Sequence, residues 1–345
     1  MDNEKTYIYG NEKLLSFFSN AAENGKLAHA YILEGGRGSG KHTLARRLAC
    51  LLACNSLFDR PCLMCESCRK ISEGISPDVI EIGLLEDKKQ ITVDQIRALR
   101  SEVFVKPSEE DVKIFLISDA ECMNEPAQNV FLKVLEEPPR GVYFIMLCEN
   151  SANMLATVKS RAPVLKMQVF SDNELEKYLL EYNKTAVSMA ASDPDGFKLI
   201  VRISEGKIGV AQRLISDFKN DKTQSKHEKA MKLIELSSEK QKLSDLLVYL
   251  QKITKARDVL GDILLYATYA VRDLMSVKKS DGDNVNLLFY ANADIARNVA
   301  SEFTSAGVMR LYEVLSDARN EVSLNLNLNC MLTNLAIELK KAAAV

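Results

Sequence analysis

Along its first 170 residues the chain alternates short apolar runs with segments whose apolar positions recur every three or four residues. Tyr31-Ile32-Leu33, Asp78–Leu85, Val112–Ser118, Val142–Cys148 and Ala162–Val169 read as strands. Short apolar runs between turn signals fit strands buried on both faces. Between them, Leu44, Ala45, Leu48, Leu51 and Leu52 recur at helical spacing, as do Ile96, Leu99 and Val103. Thr92-x-x-Gln95 is a capping box for the latter helix. Pro126 and Pro138-Pro139 bracket a third, with Ala127, Val130, Phe131, Val134 and Leu135 on its apolar face. This alternation predicts an α/β domain with a mostly parallel sheet and helices on both faces. The pattern changes at Ser171-Asp172-Asn173-Glu174, a helix start. The last of the eight prolines is Pro194, and only Gly261, Gly282 and Gly307 follow residue 210. A stretch so poor in breakers predicts a helical bundle. The expected domains are 1–170 (α/β), 171–215 (small, helical) and 216–345 (all-α), with Ser280–Asn284 as a surface loop.

Composition narrows the class. The 345 residues carry a net charge of −2, so no global positive field draws nucleic acid. The opening Met1-Asp2-Asn3-Glu4-Lys5 is polar, and no run approaches the ~20 apolar residues of a membrane span. The expectation is a cytoplasmic protein without a membrane contact. Eight cysteines in such a chain favour metal binding over disulfides.

Residues 35–42 read Gly35-Gly36-Arg37-Gly38-Ser39-Gly40-Lys41-His42, one residue short of the phosphate-loop pattern G-x-x-x-x-G-K-[S/T]. Gly35, Gly36, Gly38 and Gly40 let backbone N–H groups face phosphate oxygens, and Lys41 would reach the outer phosphates. The last position should hold Mg²⁺ through a hydroxyl, and His42 is a poor substitute. Thr43 offers a hydroxyl one residue later, but about 100° further round the helix. The expectation is a degenerate site that holds ATP without hydrolysing it, or holds nothing. Lys113–Asp119 fits the second element of such a site, an apolar strand ending in an acid that holds Mg²⁺. Active ATPases of this class place a Glu next; here Ala120 stands there and Glu121 follows. Strand alternation would turn Glu121 away. Asp119 also reads simply as a helix cap.

Cys54-x₇-Cys62-x₂-Cys65-x₂-Cys68 has the spacing of a four-thiolate knuckle, which suits structural Zn²⁺. Cys50 lies one helical turn before Cys54 and is an alternative first ligand. Cys122, Cys148 and Cys330 read as core or incidental. Ser160-Arg161 opens the last strand of the α/β region, where an arginine is ordinarily a solvated charge.

Several segments in order resemble the DNA polymerase III clamp-loader family of AAA+ proteins, most closely its delta-prime-type branch. They are His29-Ala30-Tyr31, the glycine loop, the four-cysteine knuckle, Ser76-Pro77-Asp78, Leu132-Lys133-Val134-Leu135-Glu136-Glu137-Pro138-Pro139, and Ser160-Arg161. Asn325-x-Asn327 before an apolar helix is similar to the family's end. The resemblance implies an AAA+ domain, a helical lid and a helical collar that carries oligomer contacts. It implies partners: motor subunits of the tau/gamma type, the delta subunit and, through the assembly, the sliding clamp and primer-template DNA. The chain departs from the motor pattern at His42, at Ala120, at Cys148 where a polar sensor is expected, and at Gly209 of Gly206-Lys207-Ile208-Gly209, where an Arg is expected. It keeps Arg161, which by similarity is an arginine finger acting with Ser160 on a neighbour's ATP. The implied role is a non-hydrolysing stator within the DNA polymerase III assembly, without ATPase activity of its own. Three rivals stand beside it. One is an active motor subunit. Another is a zinc-knuckle DNA-binding module on an inactive scaffold, weakened by the balance of Arg60, Arg69 and Lys70 against Asp59, Glu66 and Glu73. The third is a thiol-redox sensor with low-pKa cysteines.

Overall fold

The structure, a computed structural model, describes residues 10–56, 60–85, 88–219, 222–253, 257–279, 285, 287–322 and 327–344. Met1–Lys5, Ser280–Asn284 and Asn325 lie outside these residues. The described chain forms two compact units. One runs up to Ser171 and includes Gly206–Val210; the other comprises Asp172–Glu205 and the chain from Ala211 onward.

The first unit is built on strands β1 (Ala30–Glu34), β2 (Val79–Ile82), β3 (Lys113–Ile117), β4 (Val142–Cys148) and β5 (Val164–Lys166). They form one five-stranded sheet in the order β2-β3-β4-β1-β5, with every pair parallel. Side chains of a strand alternate between faces, and here both faces are buried. Ile32, Phe115, Ile117, Phe144 and Met146 point into a core shared with α4 (Val93–Val103) and α5 (Glu125–Glu136). Tyr31, Leu33, Ile114, Leu116, Ile145 and Leu147 point into a second core with α1 (Glu12–Glu23), α2 (Lys41–Ala53) and α3 (Glu66–Glu73). A short helix, α6 (Ala156–Lys159), precedes β5. The expected strands are present, but β2 and β5 are shorter than their apolar runs.

Asp78 shows why β2 starts late. It is 1% exposed and its carboxylate accepts backbone N–H bonds from Ser108, Glu109 and Glu110 at 2.6–2.8 Å. It ties the start of β2 to the loop before β3, and so is a loop cap and not a strand residue.

The second unit is helical throughout: α7 (Asp172–Tyr182), α8 (Lys184–Ser192), α9 (Pro194–Ile203), α10 (Ile208–Lys219, whose first residues belong to the first unit), α11 (Lys222–Ser237), α12 (Leu243–Ile253), α13 (Arg257–Lys279), α14 (Ala293–Ala300), α15 (Ser305–Val322) and α16 (Leu328–Ala343). α13 packs against α11, α14 and α15, and its Leu260, Ile263, Leu264, Ala267, Val271 and Leu274 are fully buried. Its Asp273, also fully buried, accepts N–H bonds from Leu288, Phe289 and Tyr290. Among the described residues no helix is long and apolar enough to cross a membrane.

Asp78 gives a pH signature. Burial opposes its charge, but the three N–H donors and then Lys113 together hold its pKa below the ordinary value. A carboxylate with a depressed folded pKa stabilises above its unfolded value, about pH 4, and that contribution fades as pH falls further. The stability gap between the wild-type chain and Asp78→Asn is therefore expected to be constant above about pH 4 and to shrink below it, as read from urea midpoints across that range.

Candidate functional site

β1 delivers the chain into the glycine loop, where the Gly35 N–H donates to the Cys148 carbonyl at 3.0 Å. Gly38 and Gly40 take φ of +76° and +90°, a region favouring glycine, and α2 begins at Lys41. Lys41 is 9% exposed, and its ammonium donates to the carbonyls of Gly35 and of Gly36 (3.1 Å). Burial lowers its pKa, while Glu149, Glu121, Cys148 and Asp119 act to raise it. His42 lies at the surface beside it. Desolvation lowers the imidazole pKa; Glu81 opposes this and the charges of Lys41 and Arg46 add to it. The shift disfavours the charged ring at His42, and Thr43 is half-buried on the next position.

Other parts of the unit approach the loop closely, although Gly38 and Gly40 stay exposed. The Gly209 N–H donates to the Gly38 carbonyl at 2.9 Å. A Cβ on Gly209 would stand 3.0 Å from the Gly38 Cα, and one on Gly38 would stand 2.8 Å from Val210. A Cβ on Gly36 would meet Lys207 at 3.2 Å, and one on Gly35 would meet Met167 at 2.9 Å. Phe170 lies close against both Gly10 and Gly206. The sequence marks Gly209 as a missing arginine; it carries no signal that this glycine lies directly on the loop.

The acid-bearing strand ends differently from its reading. β3 stops at Ile117, Asp119 takes φ +51°, and Ala120–Cys122 form a 3-10 turn. Strand alternation therefore does not extend to Glu121. The Glu121 carboxylate turns back and accepts the Glu149 N–H at 2.7 Å, at the end of β4, and its charge bears on Lys41 more strongly than that of Asp119. This corrects the expectation that Glu121 faces away. Ala120 is fully buried in the core. Cys148 is buried, and burial with the nearby Glu121 and Glu34 charges pushes its thiol up to about 12.

Ser160 and Arg161 follow α6. The Arg161 guanidinium donates to Glu136 at 2.6 Å, to the Thr157 carbonyl at 3.0 Å and to the Ser160 hydroxyl at 3.4 Å. Its side chain stays 34% exposed. Glu136 belongs to the leucine–Glu-Glu-Pro segment, so two motifs far apart in sequence meet in one ion pair.

Cys54, Cys62, Cys65 and Cys68 come together with their Sγ atoms all within 4.8 Å of one another. Cys54 follows the end of α2 and Cys65 caps α3. Backbone N–H groups point at the sulfurs: Cys62 to Cys54 Sγ and Cys65 to Cys62 Sγ, both at 3.3 Å, and Cys68 to Cys65 Sγ at 3.5 Å. Such donors favour thiolate, and those from Met64 and Cys65 pull Cys62 down to about 6. Burial pushes Cys54 up to about 12. A set of four sulfurs at this spacing fits one tetrahedral ion with bonds of about 2.3 Å. Cys50 stands outside the set: it is buried, and its thiol lies against the Cys68 carbonyl and the Ser72 hydroxyl.

The contact between the two glycines is directly testable. Gly209→Ala forces a Cβ against the Gly38 backbone and is expected to destabilise by about 1–3 kcal/mol, as overpacking does, with urea denaturation as the measure.

Residues 10–171 match the family model described as DNA polymerase III, delta subunit. The DNA polymerase III gamma subunit of Buchnera aphidicola subsp. Acyrthosiphon pisum is 32% identical over 50% of this chain and 47% of its own length. The tau subunit of Escherichia coli is 31% identical over 58% of this chain and 31% of its own. The delta' subunit of Bacillus subtilis is 25% identical over 95% of this chain and 96% of its own. The chain thus spans about half the length, or less, of the gamma and tau relatives. With its parallel sheet, glycine loop and helical second unit, the chain is an α/β protein whose first half is similar to subunits of DNA polymerase III, and nearly all of which is similar to the delta' subunit of Bacillus subtilis.

Proposed function

We propose that the chain is a delta-prime-type stator of a bacterial DNA polymerase III clamp loader, which does not hydrolyse ATP and lends Arg161 to a neighbour's ATP site. The observation that carries this reading is the contrast between two cations. Lys41 is turned into its own loop, whose Gly38 lies against Gly209 and Val210 and which lacks a hydroxyl at position 42. Arg161 is one-third exposed and oriented by Glu136. A guanidinium held in this way meets an incoming phosphate with little rearrangement, and such a finger stabilises charge on the transferring phosphoryl group. The reading also draws support from the delta' relative, which is matched over almost its whole length.

In this reading residues 1–170 are the AAA+ domain, 171–215 its lid and 216–345 a collar that holds the oligomer. The partners are tau/gamma-type motor subunits and the delta subunit, with the sliding clamp and primer-template DNA reached through the assembly, in the cytoplasm. The ion of the four-cysteine cluster is zinc, which would bridge the ends of α2 and α3. The second reading, a motor subunit, is favoured by the higher identity to gamma and tau proteins and by Glu121 turning back toward the charge of Lys41.

ATP turnover separates the two. The chain alone is expected to show none. In a reconstituted assembly, Arg161→Ala should slow single-turnover hydrolysis at the one site it completes by roughly 10³-fold or more. Turnover by the isolated chain that vanishes with Lys41→Ala would make it a motor instead. For the metal, elemental analysis is expected to find one zinc per chain, lost with a lowered thermal midpoint in Cys65→Ser. Freely titrating thiols in a metal-free, stable chain would sink the zinc assignment.

A further inference from the structure

Between α1, α2 and the cysteine knuckle lies a cleft of about 400 Å³, used by neither the glycine loop nor Arg161. This size accepts two or three side chains of a ligand. Leu15 and Phe18 of α1, Leu48 and Leu51 of α2, and Leu63 of the knuckle give it apolar walls. Its basic lining residues are Arg47 and Arg60, the knuckle's Cys62 also lines it, the charges of Cys50 and Cys68 bear on Arg47, and among the described residues no carboxylate lines it. Arg47 is half-buried and makes no hydrogen bond or ion pair among the described residues. Arg60 gives only a long bond, 3.5 Å, to the Leu52 carbonyl.

An unpaired, half-buried guanidinium is unfavourable, because its lost hydration is not replaced. Its planar fork matches a carboxylate, and that pairing would remove the penalty. Exposed apolar side chains also neighbour the lining residues in the chain. Phe17, 45% exposed, stacks edge-on against Phe18 at 5.3 Å, and Met64 beside Leu63 is 83% exposed. Exposed apolar side chains beside a cleft that carries guanidinium groups fit a polypeptide with both apolar and acidic side chains.

We propose that this cleft docks a segment of a partner protein that carries an Asp, Glu or C-terminal carboxylate between apolar side chains. The carboxylate pairs with Arg47 and Arg60, and flanking leucine- or phenylalanine-type side chains enter between α1, α2 and the knuckle. The proposal rests on the knuckle and the two helices, and stands whether or not the chain is a stator.

The test is a selection of phage-displayed random peptides on the full-length protein, counter-selected on Arg47→Met. Enriched peptides are expected to place an acidic residue or free C-terminus beside apolar residues. Fluorescence anisotropy of a labelled winner should show binding at least about tenfold weaker to Arg47→Met, as for loss of a charge-assisted pair. The same loss should follow when the peptide's acid is changed to its amide. Arg47→Met removes a guanidinium that makes no hydrogen bond or ion pair among the described residues, so its thermal midpoint should equal or exceed that of the wild type. Leu48→Trp, which fills the cleft, should weaken binding while leaving Arg47 in place. Winners without acidic groups, or affinity independent of Arg47, would overturn the proposal. So would an Arg47→Met midpoint well below the wild type, which marks a structural role. A small-molecule site is the remaining outcome against it: anilinonaphthalene sulfonate binding that depends on Arg47 while no peptide does.

Discussion

Two glycine backbones meet where the Gly209 N–H donates to the Gly38 carbonyl, and the glycine loop meets the start of α10 through that contact. Neither residue has a side chain to hold the strands of chain apart, so backbone lies on backbone. The loop keeps its left-handed turns at Gly38 and Gly40, both exposed, with Gly209 seated against Gly38. Met167 closes it from the β5 side and Lys207 approaches Gly36. In a loop whose composition is made to wrap phosphate, Lys41 is satisfied by the loop's own carbonyls.

Charge in the α/β unit is divided accordingly. Around Lys41 stand Glu149, Glu121 and Asp119, which offset the desolvation of its ammonium. Arg161 has a partner of another kind, Glu136 on α5, in a pair open to solvent on both sides. Surface pairs of this sort add little stability. The pair's physical effect is orientation, because Glu136, Ser160 and Thr157 together hold a long side chain in one direction.

The cysteine cluster is a joint as well as a binding set. Cys54 leaves α2 in an extended conformation and Cys65 caps α3, so an ion there fixes the two helices through their ends. The same joint forms one wall of the cleft with Arg47. Leu63 is held there by packing on the core of α1 and α2 as well.

Local signals were legible before any tertiary contact was known. Val142–Cys148 forms β4 over the whole of its apolar run, because a central strand buried on both faces must be apolar throughout. The Thr92–Gln95 box forms because both partners lie within one turn. The knuckle spacing named four cysteines, but not whether Cys50 or Cys54 was the first, since both sit near the end of α2 one turn apart. Tertiary structure decided that by ending α2 at Ala53, which frees Cys54 to turn toward Cys62 while Cys50 stays packed on Cys68 and Ser72. It decided the direction of Glu121, because the left-handed Asp119 breaks the alternation on which a strand reading depends. It also decided the meeting of Gly209 with Gly38, of Arg161 with Glu136, and of Asp78 with three distant amides. Periodicity and caps are set by neighbours within a turn, whereas these contacts join residues far apart in the chain and exist only once the sheet and its helices have packed.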